Sequence, residues 1–428
     1  MKTRSGTIHI PNFKSLTYNR PIENIMPLKD QEMIYPMSQH IGEKCAPIVK
    51  IGEKVLDGQK IADSEALISS PIHSSVSGEV IAVSHDEVII KNDGRFDKVN
   101  RPVPGEKLSK EVILEKVREA GVVGMGGAGF PTHIKLNPPA DKKIEYIIAN
   151  GAECEPYVTS DHALMLDQPD KLIEGLKLIM SLYKGAKSFI AVESSSQKII
   201  RLFESKPLSL AGIEVVVLGT KYPQGSERQM VYSCTGREVP VGNLPIDIGC
   251  SVINVSTIIA VHDAVFEDKP MTSRIVTISG DAANNPGNYK VLLGTRLRDL
   301  LYATGNSPEN NSPENNYKSA RKVICGGPMM GRAIYDMNTP ITKTSSAFLL
   351  FSEQELSQEQ ACIRCGRCVN ACPMDLMPLF LNRDVLNNDI SQFKKGRGSD
   401  CIECGSCSYI CPSGCHLVQS IIVGKNMG

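Results

Sequence analysis

The chain has 428 residues, 47 basic and 47 acidic side chains, 14 Cys and no Trp. The length predicts about three domains, and the balanced charge argues against binding to nucleic acid or to a membrane through a polybasic patch. The N-terminus lacks the apolar region of a signal peptide, and the longest uncharged run, Ile248–Val261, is too short to span a bilayer. We therefore expect neither a membrane span nor a nucleic-acid partner.

Residues 1–105 are predicted to form a small β domain, because short β-branched runs alternate with glycines. The pattern at Ile48–Ala62 resembles the barrel-sandwich hybrid fold of biotinyl and lipoyl carriers, whose hairpin presents a Lys for covalent attachment. The corresponding stretch, Asp63–Ser70, contains no Lys. We expect a carrier-like scaffold without a prosthetic group, and the alternative is a swinging arm. His40 and His73 have no partner at ligand spacing and are expected to be hydrogen-bonded or exposed.

Residues 106–270 are predicted to form a Rossmann-like α/β domain with a mainly parallel sheet. A helical pattern leads into a glycine-rich loop, Gly124–Pro131, whose backbone N–H groups can surround an anion. Buried-strand runs follow at Ile144–Tyr157, Lys187–Glu193 and Gly212–Gly219, and the first ends in a polar cluster. Ligands of open α/β sheets bind at the carboxyl ends of strands. The loop lacks the spacing of the dinucleotide fingerprint and of the P-loop, so by itself it is a weak signal.

Four segments of this domain resemble the flavin-binding subunit of respiratory complex I: GGAGFPTHIK, NGAECEP, Lys221–Pro240 and INVSTI. The resemblance implies a noncovalent FMN and a stacked NAD(H). The contacts it implies are Gly124, Gly126 and Lys135 for the flavin phosphate and ribityl chain, Asn150 and Asn254 for the flavin, Phe130 for the adenine, and Glu155, Tyr222 and Glu227 for NADH. The cofactor-binding set also includes Gly127, Gly129, Glu153 and Gly225.

Three positions depart from the pattern of that family. Met125, Ala152 and Ile253 stand where the family has Arg, Asp and Asn, and each change removes a possible hydrogen bond. Two interpretations therefore stay open. Either the domain binds FMN and NAD(H), or the chain is an electron-wire subunit whose flavin site has been lost.

Residues 271–351 are predicted to form a connecting domain. Alternating strands, an Asn-Pro-Gly turn and an amphipathic helix in Ser273–Leu301 resemble the SLBB β-grasp domain that follows the flavin domain in complex I. The duplicated polar stretch Asn306–Asn316 is expected to be an exposed loop. CGGPMMG, Cys325–Gly331, is expected to pack against a neighbouring domain, and a ligand role is the alternative.

Residues 352–428 contain two copies of C-x2-C-x2-C-x3-C-P, the bacterial ferredoxin run that binds iron–sulfur clusters. Zinc sites and disulfides do not need this third Cys and the following C-P. The fourth Cys of each run ligates the other cluster in two-cluster ferredoxins, and Cys415 is left over as a structural thiol. We predict a helical module with two 4Fe–4S clusters, one held by Cys362, Cys365, Cys368 and Cys411, the other by Cys401, Cys404, Cys407 and Cys372.

The cofactors form a chemical sequence, because nicotinamide gives up two electrons as hydride, a cluster accepts one, and a flavin does both. The order of the four domains is accompanied by the segments SGTIHIP, PMSQHIG, SPIHSSVSG, GGPMMG and CPMDLMP. With these the chain as a whole resembles RnfC, the NADH-side peripheral subunit of the Rnf complex, a ferredoxin:NAD+ oxidoreductase coupled to Na+ or H+ transport. The resemblance implies integral-membrane and iron–sulfur partner subunits, NADH, indirect exchange with ferredoxin, and a cytoplasmic location on the inner face of the cell membrane. A soluble RnfC-like reductase of the cobalamin or proline-reductase type stays open as the alternative.

Overall fold

The computed structural model describes residues 6–100, 108–306, 320–353 and 358–427. The polar loop predicted at Asn306–Asn316 lies outside these residues except for Asn306. The described chain folds into a multidomain α/β structure with four sheets and a helical C-terminal module. Its first strand, β1 (Ile22–Ile25), pairs with the third domain instead of the barrel.

The N-terminal β domain consists of two small sheets around an apolar core that includes Met33, Val80 and Ile90. Its hairpin tip is docked on the second domain, because Arg118 donates to the carbonyl of Ser64 and Lys60 pairs with Glu119. The strands are β2 (Glu32–Pro36), β3 (Ala46–Pro47), β4 (Lys54–Val55), β5 (Lys60–Asp63), β6 (Ile72–His73), β7 (Gly78–Val83) and β8 (Glu87–Asn92), in the orders β2-β8-β7-β4 and β3-β5-β6.

The second domain is a four-stranded parallel sheet in the order β11-β10-β9-β12, with strands β9 (Tyr146–Gly151), β10 (Lys187–Glu193), β11 (Ile213–Leu218) and β12 (Cys250–Asn254). Helices cover both faces, so alternate strand residues enter two separate apolar clusters, as parallel sheets require. The helices are α1 (Lys110–Glu119), α2 (Thr132–Lys135), α3 (Ser160–Asp167), α4 (Pro169–Ser181), α5 (Gln197–Glu204), α6 (Glu227–Thr235) and α7 (Val255–Phe266).

The third domain is a mixed six-stranded sheet in the order β1-β14-β13-β17-β15-β16, with one helix packed on it. Strand β1 comes from the N-terminal region and runs parallel to β14, so the first and third domains share a sheet. The elements are β13 (Ser273–Ser279), β14 (Gly287–Leu292), α8 (Leu297–Ala303), β15 (Lys322–Cys325), β16 (Arg332–Ile334) and β17 (Ala347–Phe351).

The C-terminal module is helical, and each cysteine run contains a short helix. A helix between the runs packs against the last helix of the chain, with the ring of Phe393 buried in the same cluster. The helices are α9 (Arg367–Asn370), α10 (Pro378–Leu386), α11 (Ile390–Lys395), α12 (Ser406–Tyr409) and α13 (Leu417–Asn426).

A buried lysine joins the first three domains. The Lys343 ammonium donates to the carbonyls of Pro71 at 2.5 Å and Gly121 at 2.7 Å, and the Lys343 backbone N–H donates to Gln39. Gly121 marks the start of the turn that leads into the glycine-rich loop. Complete burial away from water lowers the pKa of Lys343 to about 7, because the charged form loses its hydration.

The Lys343→Met variant is expected to alter the pH dependence of stability. Lys343 titrates at about 7 in the folded chain and near 10.5 when unfolded, so between these values the folded chain binds fewer protons and wild-type stability rises with pH. The melting temperature of wild type, relative to the variant, should therefore increase from about pH 7 to about pH 10. Lys50→Met, at an exposed position, serves as control; equal pH dependence in both variants contradicts the prediction.

Candidate functional site

The glycine-rich loop is closed on itself and fixed to the start of α7. Gly124 N–H donates to the Phe130 carbonyl at 2.8 Å, and Met125 N–H donates to Thr257 Oγ1 at 2.8 Å. Gly126 has φ +82°, and a Cβ there would lie 2.8 Å from Asn254 Nδ2. A Cβ on Gly127 would meet nothing within 4 Å. The backbone thus borders open space at Gly127 while it is tightly packed at Gly126, which fits a loop that a ligand approaches closely.

Two asparagines lie side by side at the carboxyl edge of the sheet. Asn150 on β9 and Asn254 on β12 are register partners. Asn150 Nδ2 donates to the Gly225 carbonyl at 2.9 Å, and Asn254 Oδ1 accepts from Ser256 N–H at 2.8 Å to cap α7. The structure therefore brings together the glycine loop and both predicted flavin-binding amides.

The carboxylate of Asp161, which sequence reasoning missed, lies at this edge. It accepts from Asn254 Nδ2 at 2.6 Å and from the Ser256 hydroxyl. Glu153 caps the same helix, α3, because its carboxylate accepts from the backbone N–H groups of Asp161 and His162 at 3.0 and 3.2 Å. Burial raises the pKa of Glu153. No sequence pattern distinguishes Asp161 from an ordinary acidic residue in a first helical turn.

A second group of predicted residues gathers at the start of α6. Lys135 Nζ pairs with Glu227 Oε1 at 2.7 Å, and both side chains are partly exposed. Phe130 is half-buried at the end of the glycine loop. The hydroxyl of Ser226, beside Gly225, is buried and has no hydrogen-bond partner among the residues that the structure describes. Such an orphaned donor fits a site completed by a bound ligand.

Glu155 and Tyr222 connect the second domain to the CGGPMMG loop and to the cysteines. The Glu155 carboxylate accepts from the N–H groups of Met329 at 3.1 Å and Met330 at 2.9 Å, and the Tyr222 hydroxyl donates to the Cys404 carbonyl at 2.6 Å. Burial raises the pKa of Glu155 to about 7. CGGPMMG therefore packs against the neighbouring domains, as expected, and the fully buried Tyr222 lies between the flavin-type domain and the cysteine module.

A positive charge from the third domain lies behind the glycine loop. The Arg274 guanidinium contacts the sulfur of Met125 and donates to the Ser345 carbonyl at 3.0 Å. Complete burial lowers the pKa of Arg274 to about 10, although Asp161 and Glu153 oppose that shift. Met125 stands where the complex I family has Arg, so an arginine distant in sequence reaches the same loop here.

The cysteines form two separate sets, each around a cavity with apolar walls. One cavity is lined by Cys362, Cys365, Cys368, Cys411 and Cys415. The other is lined by Cys372, Cys401, Cys404 and Cys407. Each run thus contributes three thiols to one cavity and its last thiol to the other. Four convergent thiols in each cavity suit a 4Fe–4S cluster.

The two sets differ in exposure. Cys362 and Cys365 in the first set are exposed, whereas Cys372, Cys404 and Cys407 in the second are buried. Gly6 packs directly on the Cys372 carbonyl, and the adjacent N-terminal chain pairs with Tyr222 through Ile8. Between the sets, Cys368 and Cys407 belong to one apolar cluster with Val418. Other parts of the chain therefore cover Cys372 and Cys404 of the second set, whereas Cys362 and Cys365 of the first set face solvent.

Four family profiles match consecutive parts of the chain. They are the RnfC barrel sandwich hybrid domain at residues 2–96, the Nuo51 FMN-binding domain at 117–263, the SLBB domain at 275–333 and the 4Fe-4S dicluster domain at 361–416. They confirm the predicted fold class and support FMN and iron–sulfur clusters as the cofactors.

Curated relatives decide the family. The C subunit of the proton-translocating ferredoxin:NAD(+) oxidoreductase complex of Clostridium ljungdahlii is 40% identical over 397 residues, which cover 89% of this chain and 84% of the relative. Its counterpart in the Na(+)-translocating complex of Acetobacterium woodii is 38% identical, over 99% of this chain and 96% of the relative. The chain belongs to the RnfC family. The predicted resemblance is thereby confirmed.

A more distant structural likeness agrees at the level of the fold. A chain of the NAD+-reducing [NiFe]-hydrogenase in the H2-reduced state matches 76% of this chain with a TM-score of 0.52 at 18% identity, and the match spans 63% of that chain. Within the described parts of the RnfC-family chain, no helix combines the length and apolar character needed to cross a membrane.

The Gly127→Ala variant tests whether the flavin lies over the loop. The added methyl group enters open space, so the variant should melt like wild type yet bind FMN at least about tenfold more weakly, a loss of about 1.4 kcal/mol. FMN fluorescence titration measures this. Gly219→Ala is the control, because its Cβ also meets nothing within 4 Å. Gly219 directly follows β11, which lies at the opposite side of the sheet from β12 and Asn254. Unchanged FMN affinity in Gly127→Ala contradicts a flavin at this loop.

Proposed function

We propose that this chain exchanges hydride between NAD(H) and FMN at the Gly124–Pro131 loop and passes single electrons through two 4Fe–4S clusters to partner subunits. This is the NADH/ferredoxin oxidoreductase reaction of an Rnf-type complex. One observation carries the proposal: Tyr222, from the flavin-type domain, donates to the backbone of Cys404 in the second cysteine set. A nucleotide-type site and a cysteine set are thus in direct contact within one chain.

The residues at the sheet edge suit a flavin. Bound FMN accepts a hydride and returns its electrons singly, which links nicotinamide to iron–sulfur chemistry. The backbone of Gly124, Gly126, Gly127 and Gly129 and the Lys135 ammonium would hold the phosphate and ribityl chain. Asn150 and Asn254 would hydrogen-bond the flavin ring, since their amides lie at adjacent strand ends.

The predicted NADH contacts fall into two neighbouring groups. Glu227 begins α6, where the unpartnered hydroxyl of Ser226 offers a further hydrogen bond. Phe130 ends the glycine loop, and Lys135, in the helix after it, pairs with Glu227. Glu155 and Tyr222 lie next to the second cysteine set and orient the connection to it. Glu153 would act through α3, because it fixes the N-terminus from which Asp161 reaches Asn254.

The substitution at Ile253 does not support a lost flavin site. The Ile253 side chain is buried in the apolar cluster between the sheet and its helices, so it points away from the carboxyl edge. Asn254 supplies the amide at that edge, and Arg274 brings a guanidinium to the loop where Met125 replaces the family arginine. These contacts favour a working flavin site over a bare electron wire.

The electron path is inferred from burial. The second cysteine set contacts Tyr222 and the N-terminal chain, whereas Cys362 and Cys365 of the first set are exposed beside Ile363, which is 67% exposed. We infer that electrons pass from the flavin to the second cluster, then to the first, and leave at this exposed end. The order agrees with the position of Cys368 and Cys407 in one apolar cluster between the two sets.

The partners and location follow from the family. Relatives are named as subunits of proton- or Na(+)-translocating complexes, so we propose that the chain lies peripherally on the inner face of the cell membrane, bound to integral-membrane and iron–sulfur subunits, with ferredoxin as the distant electron partner. The barrel-sandwich domain precedes the flavin-type domain, which distinguishes the chain from cobalamin reductases, whose flavin domain comes first.

The Cys401→Ala variant tests both the reaction and the order of the clusters. With FMN bound and clusters assembled, NADH should bleach the flavin and reduce both clusters in wild type. Loss of the second cluster should leave flavin bleaching intact and block reduction of the first. Anaerobic absorbance and low-temperature EPR measure this.

Cys365→Ala is the matched control, because it removes the first cluster and should leave reduction of the second intact. Absence of flavin bleaching in wild type would refute the proposed reaction. Rapid reduction of the first cluster in Cys401→Ala would refute the order alone.

A further inference from the structure

The first cysteine cavity contains one thiol more than the second. Five cysteines line it, whereas four line the other. The additional one, Cys415, is only 4% exposed and lines the same cavity as the four predicted ligands. A 4Fe–4S cluster takes four thiolates, so one thiol in this cavity has no place in the ligand set.

The position of Cys415 is fixed by the turn that follows Cys411. Gly414 has φ +64° and donates its N–H to the Cys411 carbonyl at 3.2 Å, which folds the chain back toward the cavity. Leu417 N–H donates to the Cys415 carbonyl at 2.8 Å. The Cys415 thiol donates to the Gln360 carbonyl at 3.6 Å. Cys411 packs against the apolar cluster that contains Cys415, and both residues line the same cavity.

We propose that Cys415 is a reserve ligand of the first cluster, able to bind the iron that Cys411 otherwise holds. This rests on the iron–sulfur clusters of the proposed function. In the exchange, one iron–sulfur bond forms as the other breaks, and the thiol proton of Cys415 passes to the Cys411 sulfur. No electrons are exchanged.

The cavity that has the reserve thiol is the one that needs it. Cys362 and Cys365 are exposed, and Cys411 is partly exposed, so water reaches the ligands of the first cluster. In the second set Gly6 and Tyr222 cover Cys372 and Cys404, and Cys401 is the one partly exposed ligand. Packing alone explains Cys415 less well, because a small aliphatic side chain would fill the same space beside Leu417.

Four variants, assembled with iron and sulfide, test the reserve ligand. Wild type, Cys415→Ala and Cys411→Ala should each bind about eight irons per chain, the content of two 4Fe–4S clusters. The double variant Cys411→Ala/Cys415→Ala should retain about four. Cys372→Ala is the matched control: it removes the equivalent ligand of the second cavity, where no extra thiol exists, and should also retain about four. Iron and labile-sulfide analysis with EPR measures each.

The outcomes separate the inference from the function. Equal iron loss in Cys411→Ala and Cys372→Ala would overturn the inference of a reserve ligand. Equal iron content in Cys411→Ala and the double variant would also overturn it, as would iron loss in the single variant Cys415→Ala. A wild-type chain that binds no iron would instead refute the proposed function. If the alanine at position 411 prevents folding, Cys411→Ser with and without Cys415→Ala repeats the comparison at nearly unchanged side-chain volume.

Discussion

The hydrogen bond from the Tyr222 hydroxyl to the Cys404 carbonyl is the contact on which the arrangement of this protein depends. A nucleotide-type site and a redox centre on separate domains cooperate only if the domains are held in one orientation. Tyr222 does this from both sides, since its backbone pairs with Ile8 while its hydroxyl reaches the cysteine module. Glu155 adds a second connection through the N–H groups of Met329 and Met330. Three domains and the N-terminal chain therefore meet at one place.

Two junctions between domains bury a charged side chain, Glu155 at this one and Lys343 where the first three domains meet, and backbone groups compensate at both. Glu155 is stabilised by two N–H donors, and Lys343 by two carbonyls. A buried charge without such partners would cost several kcal/mol. Burial still disfavours the charged form of each side chain, because the pKa of both residues is shifted to about 7. The same polar contacts fix the orientation of the domains, because a shift of one domain would separate buried donors from their acceptors on the other.

The sequence predicted the features that are determined by residues close together in the chain. Cysteine spacing predicted both thiol sets and their crossed composition, because each run must fold tightly around one cluster. The run of glycines predicted the loop, and the family resemblance predicted that it binds a flavin. Contacts between distant segments were not predictable. Asp161 looks like any first-turn acid, the pairing of Ile22–Ile25 with Gly287–Leu292 has no signal in either strand, and Glu155 finds Met329 only after the domains are assembled.

The two cysteine sets on the proposed electron path differ in solvent exposure, and this difference has two consequences. A cluster that exchanges electrons with a partner protein must lie near the surface, and a surface position gives water access to its thiolates. In the second set Tyr222 and Gly6 cover Cys404 and Cys372, so this set is less accessible to a partner protein and less exposed to water. The first set has the opposite properties, with Cys362 and Cys365 exposed. The additional thiol, Cys415, lines this exposed set, so the difference in cysteine number matches the entry and exit roles that we propose for the two clusters.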